Sequence, residues 1–329
     1  MSFLTRKIEE RNKLLLIFIH GFKGDDKTFL DFPERLQRIL TESRHEIDTE
    51  SIIYPRYETK GELKASVGLF CNWLEKTVRV REEEIKRLDQ RGVVWVCLCG
   101  HSMGGILAAD TIIKYESQSA PKPNIIGLFA FDTPYYGLEK DLFPKLVVDR
   151  TYDLNQKFNN AYSTFAGVAT TAGLMSSFTS TKSTSDTQSS GYGKLLGYGI
   201  GLVGAVAVAG TVVAQKEKIE CWIRDHLQYV GVLWNQEELE KRVNDLIELS
   251  NFYFHCYYTT IPSNVFSSER TFIKPPPPEV KSYFTPVKCT ASDEVDAHTT
   301  MFDPTREQYF TLGSVIYQRI TEMLVMAEK

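Results

Sequence analysis

The chain has 329 residues, enough for one large or two ordinary domains with a core that needs neither disulfides nor metals. Hydrophobic residues at 43%, charged residues at 24% and aromatics at 12% exclude wholesale disorder, a collagen-like repeat and a polytopic membrane protein. The formal net charge is −4 and no Lys/Arg-rich tract occurs, so the electrostatic footprint of a nucleic-acid binder is missing and no nucleic-acid partner is expected.

Residues 1–10 carry charges of mixed sign and no apolar core of signal-peptide length, which does not indicate secretion. The cysteines at 71, 97, 99, 221, 256 and 289 have no framework spacing, and most sit in apolar surroundings where a free thiol acts as a small hydrophobe. Both signals point to an intracellular, reducing setting: the cytoplasm, or the cytosolic face of an organelle membrane or lipid droplet.

Residues 14–20 read Leu-Leu-Leu-Ile-Phe-Ile-His, a continuous apolar run of strand length, as expected for a strand buried on both faces of a parallel sheet. Residues 51–54, 93–99 and 125–131 read the same way. Between them lie helical patterns over 33–43, with Asp31 as a candidate cap, over 62–87 and over 103–115. Strands alternating with helices predict an α/β fold with a mostly parallel sheet covered by helices.

The alternation stops after Phe131, which makes residues 1–134 the first part of the core and 135–250 an insertion. Of the 15 residues over 176–190, 11 are Ser or Thr, the composition of a flexible linker. Leu195 then opens and Ala214 closes a stretch of twenty residues without a charge, bounded by Lys194 on one side and Lys216 on the other. Gly197, Gly201 and Ala205 recur in it at the spacing that lets membrane helices approach closely. Membrane contact through 195–214 is therefore expected, by spanning or by surface insertion, with a buried cap helix as the alternative. Helical stretches around 221–234 and over 237–250 lead back to a strand at 252–260. Residues 251–329 form the second part of the core, with an irregular loop at 275–278, a strand over 283–289 and a final helix over 306–327.

The chemistry is concentrated at Gly100-His101-Ser102-Met103-Gly104-Gly105, which lies between the 93–99 strand and the 103–115 helix. A serine on so sharp a strand-to-helix turn needs tiny neighbours, and Gly100 and Gly104 supply the room that lifts the Ser102 hydroxyl above the sheet. Serine is a weak nucleophile without a base. Of the histidines, His20, His45, His101, His226 and His255 are each better explained structurally, with His101 expected to point away from Ser102. His298, placed in a loop after the last strand, is the one positioned to reach it.

The orienting acid is less direct, because the strand ending Thr259-Thr260-Ile261-Pro262 has no carboxylate where hydrolases usually carry one. Asp132, at the end of the 125–131 strand, is placed first because a strand end is a rigid mount. Asp293, five residues before His298, is the alternative, with Asp296 third. Oxyanion donors are expected from the Phe22 and Met103 N–H groups, since Gly21 lets the backbone turn inward beside the serine. No metal or cofactor is called for: Gly199-Ile200-Gly201-Leu202-Val203-Gly204 matches a dinucleotide fingerprint but follows no strand.

Together, His20-Gly21-Phe22, the Gly-His-Ser-Met-Gly-Gly turn and the late His298 resemble the α/β-hydrolases of the lipase and serine-esterase branch. More narrowly, residues 18–26, 131–135 and 293–298 are similar to signature stretches of poorly characterised fungal serine esterases, in a likeness covering nearly the whole chain. The resemblance implies a nucleophile at Ser102, a base at His298 and oxyanion donors at Phe22 and Met103. It further implies a serine hydrolase of carboxylic esters, with a lipid or small ester as substrate. An acyltransferase or thioesterase would share every residue, and a membrane-associated adaptor could keep the fold without the activity.

Overall fold

The computed structural model describes residues 11–22, 24–57, 62–88, 91–139, 231–263 and 268–329. All of these belong to one compact unit that draws on both sides of the 140–230 stretch. The 176–190 linker, the apolar 195–214 segment and the helix expected around Cys221 and His226 lie outside the described residues.

Counted in chain order among the described residues, the elements are β1 (Asn12–Ile19), α1 (Phe32–Ser43), β2 (Ile47–Ile53), α2 (Leu63–Arg87), β3 (Val94–His101), α3 (Met103–Glu116) and β4 (Ile125–Phe131). After 230 come a 3₁₀ turn (Gly231–Trp234), α4 (Gln236–Ile247), β5 (Tyr253–Ile261), β6 (Arg270–Thr271), a 3₁₀ turn (Pro278–Tyr283), β7 (Phe284–Lys288), α5 (Glu294–Thr299) and α6 (Glu307–Ala327). The sheet runs β2-β1-β3-β4-β5-β7 with every pairing on that path parallel. Helices α1 and α6 cover one face and α2, α3 and α4 the other. This is the α/β-hydrolase fold, and it explains the apolar runs. Leu14, Leu15, Leu16, Ile17, Phe18 and Ile19 of β1 are all fully buried because their side chains alternate between two covered faces.

Several elements depart from the sequence reading. β2 begins at Ile47 rather than 51, since its alternating polar residues lie at the edge of the sheet. Asp31 stands before α1 without making a side-chain cap; its carboxylate accepts the Tyr309 hydroxyl at 2.8 Å, tying α1 to α6. Two short elements, β6 and α5, carry too few residues to show a period. The α4 helix, grouped with the insertion on sequence, packs on α3 through Arg242, which donates to Asp110 Oδ1 at 2.6 Å.

Beneath the C-terminal ends of the strands lies an aromatic cluster in which Phe302 stands 5.0, 5.1 and 5.2 Å from Phe29, Phe32 and Phe131. Close approach of α6 to β4 depends on Gly127, where an added Cβ would meet Met323 Sδ at 2.4 Å and Tyr253 O at 3.0 Å. Gly127→Val is expected to lower stability by about 1–3 kcal/mol through overpacking. Combining it with Met323→Ala should return part of that loss, as read from urea unfolding midpoints.

Candidate functional site

β3 ends in the strained turn that the Gly-His-Ser-Met-Gly-Gly sequence calls for. Ser102 has φ of +56°, a conformation that costs energy for a residue with a Cβ and persists only when its surroundings enforce it. They do so from both sides. Ser102 N–H donates to Phe131 O at 2.8 Å, and a Cβ on Gly104 would overlap the Ile19 carbonyl at 2.1 Å. A Cβ on Gly100 would stand 2.5 Å from Gly105 Cα, so the strand and helix can close this turn only with glycine at both places.

The segment leaving β1 passes directly beside this serine. A Cβ on Gly21 would lie 2.6 Å from Ser102 Cβ and 3.1 Å from its hydroxyl oxygen. His20 shapes the segment: its Nδ1–H donates to Gly21 O at 3.1 Å, and its ring stacks on Tyr57, whose hydroxyl donates to His20 O at 2.9 Å. Phe22 follows Gly21 in this segment, and Met103 is the first residue of α3, where backbone N–H groups have no partner within the helix.

Asp132 and His298, 166 residues apart in sequence, meet at the same rim. His298 Nδ1 lies 3.0 Å from Asp132 Oδ2, with Asp132 fully buried and His298 8% exposed. A carboxylate can only accept, so Nδ1 carries the proton and Nε2 keeps its lone pair. His298 stands in the last turn of α5 rather than in a loop. Asp293 is elsewhere engaged, capping α5 by accepting the Asp296 N–H at 2.8 Å. Asp296 accepts from Ser292 and from Arg306.

The strand end without a carboxylate serves the acid from next door. Thr259 donates its N–H to Asp132 Oδ1 at 2.8 Å and its hydroxyl to Oδ2 at 2.7 Å. Asp132 is itself turned, at φ of +47°, and its N–H donates to Tyr257 O at 2.7 Å. Sequence reasoning missed Thr259 because a threonine at a strand end has no chemistry of its own; the parallel pairing of Phe131 with Tyr257 brings it beside the acid.

His101 also has a part in the site. It points from Ser102 toward His298, stacks on that ring at 4.5 Å, and donates Nε2–H to the His298 carbonyl at 3.2 Å. Burial, and then the nearby His298, hold the His101 imidazole well below its usual value, so it packs here as a neutral donor.

Among the described residues, no helix is long and apolar enough to cross a membrane, and no group of three His, Cys, Asp or Glu side chains is placed to hold a metal. No family model matches the chain, and no curated protein matches it. Among solved structures, the chain is similar to RedJ, the thioesterase from the prodiginine biosynthetic pathway in Streptomyces coelicolor, at 13% identity over 94% of this chain and 86% of that one, TM-score 0.35. A second RedJ structure, with a PEG molecule in its active site, gives 14% identity over 94% of each chain, also with TM-score 0.35. Phospholipase PlaB from Legionella pneumophila aligns at 17% identity over 38% of this chain, TM-score 0.26, and the match spans about a quarter of that protein, 26% of its length.

Burial also depresses His20, and pushes His255 in β5 down to about 4 from an ordinary 6.5. Each such group binds fewer protons folded than unfolded once the pH drops below 6.5, so stability present above that value is lost as pH falls through the folded values. The urea midpoint should therefore decline steadily between pH 6.5 and about 4, and His255→Gln should flatten part of that decline.

Proposed function

We propose that the protein is a serine hydrolase of carboxylic esters, with lipid-like substrates, working through Ser102, His298 and Asp132 and an acyl-enzyme. The observation that carries this reading is the 3.0 Å contact between His298 Nδ1 and buried Asp132, made at the rim where Ser102, its N–H bonded to the residue before Asp132, is held in a strained turn. That contact fixes the tautomer in which Nε2 is the basic nitrogen.

Catalysis then proceeds by known chemistry. His298 Nε2 takes the Ser102 proton as the hydroxyl oxygen attacks the ester carbonyl carbon, and the charge developing on the carbonyl oxygen is held by the Phe22 and Met103 N–H groups. His298 returns the proton to the leaving oxygen as the ester C–O bond breaks, leaving an acyl group on Ser102. Water, activated by the same imidazole, releases the acid and restores the serine. Asp132, held by two bonds from Thr259, keeps the ring aligned and offsets its charge. In this reading Asp293 is a helix cap and has no part in the chemistry.

The lipid preference and membrane contact rest on the charge-free 195–214 segment, carried in the sequence between the two parts of the core. They fit a protein working at the cytosolic face of an organelle membrane or a lipid droplet, and they agree with the likeness of residues 18–26, 131–135 and 293–298 to lipase-like fungal esterases.

A fluorophosphonate probe should label the wild type and leave Ser102→Ala unlabelled; equal labelling of both would overturn the nucleophile assignment. Asp132→Asn should lower kcat/KM for p-nitrophenyl esters by about 10³- to 10⁴-fold by favouring the wrong tautomer. Asp293→Asn should leave it near wild type, since asparagine caps a helix as well as aspartate. A wild type inert toward both esters and thioesters would favour an adaptor. Deleting 195–214 should move the protein from the membrane pellet to the supernatant, and no change in partition would remove the membrane claim.

A further inference from the structure

The His298 ring is held by more than its carboxylate partner. Phe272 lies 3.7 Å from it, centroid to centroid, with the two planes 13° apart. His101 lies 4.5 Å away at 26°. Two rings so nearly parallel to a third cannot share one of its faces at these separations, so the imidazole is sandwiched between them.

The phenyl ring is carried by a strap built to hold it there. Thr260 pairs with Thr271 of β6 and also with Lys288 of β7, so the two lie on opposite sides of β5, and β6 occupies the lane that β4 vacates at Phe131. That lane passes over Asp132 and leads Phe272 onto His298. On its other side the strap bonds to the chain leaving Asp132: Glu139 N–H donates to Phe272 O at 3.3 Å, and Lys274 N–H to Gly137 O at 2.9 Å. Phe272 itself is 6% exposed.

The stacking geometry lays the phenyl face over the imidazole. Carbon atoms do not approach much below about 3.5 Å, so a 3.7 Å centroid separation limits the sideways offset to about 1.2 Å. That overlap suits two neutral rings in offset stacking, and once the imidazole is protonated it also sets a cation over the phenyl face, where the ring quadrupole attracts it.

We propose that Phe272 is a positioning residue for proton transfer, holding the His298 ring against Asp132 and stabilising, through its π-face, the imidazolium that forms when the ring takes the Ser102 proton. This rests on the reading of His298 as the general base. The ionisable groups in contact with that ring are Asp132 from the end of β4 and His101 from β3, and the Cys289 thiol after β7 lies within electrostatic reach of Asp132. On α5 itself stand Asp293, Glu294 and Asp296, the last two paired with Arg270 and Arg306.

Replacing Phe272 with mono-, di- and trifluorinated phenylalanines weakens the quadrupole while changing no charge and little volume. The readouts are the pH profile of kcat/KM for p-nitrophenyl butyrate and the NMR titration of the His298 Cε1–H, assigned with His298→Gln. The neutral base is the active form, so weakening a ring that favours the charged form lets activity persist to lower pH. With each fluorine the acidic limb and the titration midpoint should step downward together, by about half a unit to one unit in total, as kcat falls by about threefold to tenfold. Phe272→Tyr, which keeps an electron-rich face, should stay near wild type. Midpoints unmoved by fluorination, with His298→Gln inactive, overturn this inference alone; His298→Gln retaining full hydrolysis overturns the base assignment and the inference with it.

Discussion

The buried Asp132 carboxylate is the constraint on which the rest of the site depends. A carboxylate with no exposure to water must be compensated by fixed donors, and here three donors come from two separate parts of the chain. Thr259 of β5 gives an N–H and a hydroxyl, and His298 of α5 gives Nδ1–H. The acid therefore registers β4 against β5 and anchors α5 over both. Satisfying the buried carboxylate and aligning the imidazole are the same act, so the stability of this rim and the geometry of the candidate site cannot be varied independently. Loss of any donor leaves an uncompensated charge in the interior.

The serine turn depends on a second set of constraints, steric rather than electrostatic. Gly100, Gly104 and Gly21 each face a neighbour that a Cβ would overlap, and Gly105 packs against Thr133, the residue after Asp132. The strained Ser102 backbone is held by this packing together with its bond to Phe131 O. Since that carbonyl belongs to the residue before Asp132, one backbone corner fixes the serine on one side and the acid on the other. Energy stored in the turn is thus borne by the central strands, the part of the fold with most to hold it.

The sequence made the sheet legible wherever strands are buried on both faces. The runs at β1, β3 and β4 are apolar throughout, and their ends fall within two residues of the expected ones. It was less informative at β2, whose edge position leaves polar residues in the pattern, and silent at β6 and α5, which are shorter than any usable period. Ser102 stood out because its glycines are required by a local shape. The relation of Asp132 to His298 could only be ranked, because it arises from strand register and from a helix too short to foresee. Thr259 and Phe272 carry no chemical signature, and their places follow from lanes of the sheet that a linear reading does not supply.

The compact unit is built from Met1–Phe143 and Asp225–Lys329, and on each side a described segment is secured to it locally. Glu139 is tied to the strap by its bond to Phe272 O, and the returning segment is docked by the Arg242–Asp110 ion pair and the buried Leu239, Val243 and Leu246 of α4. Both anchors use residues of the compact unit itself. A difference in length or sequence between them therefore leaves the contacts of the serine turn and of the buried acid unaltered.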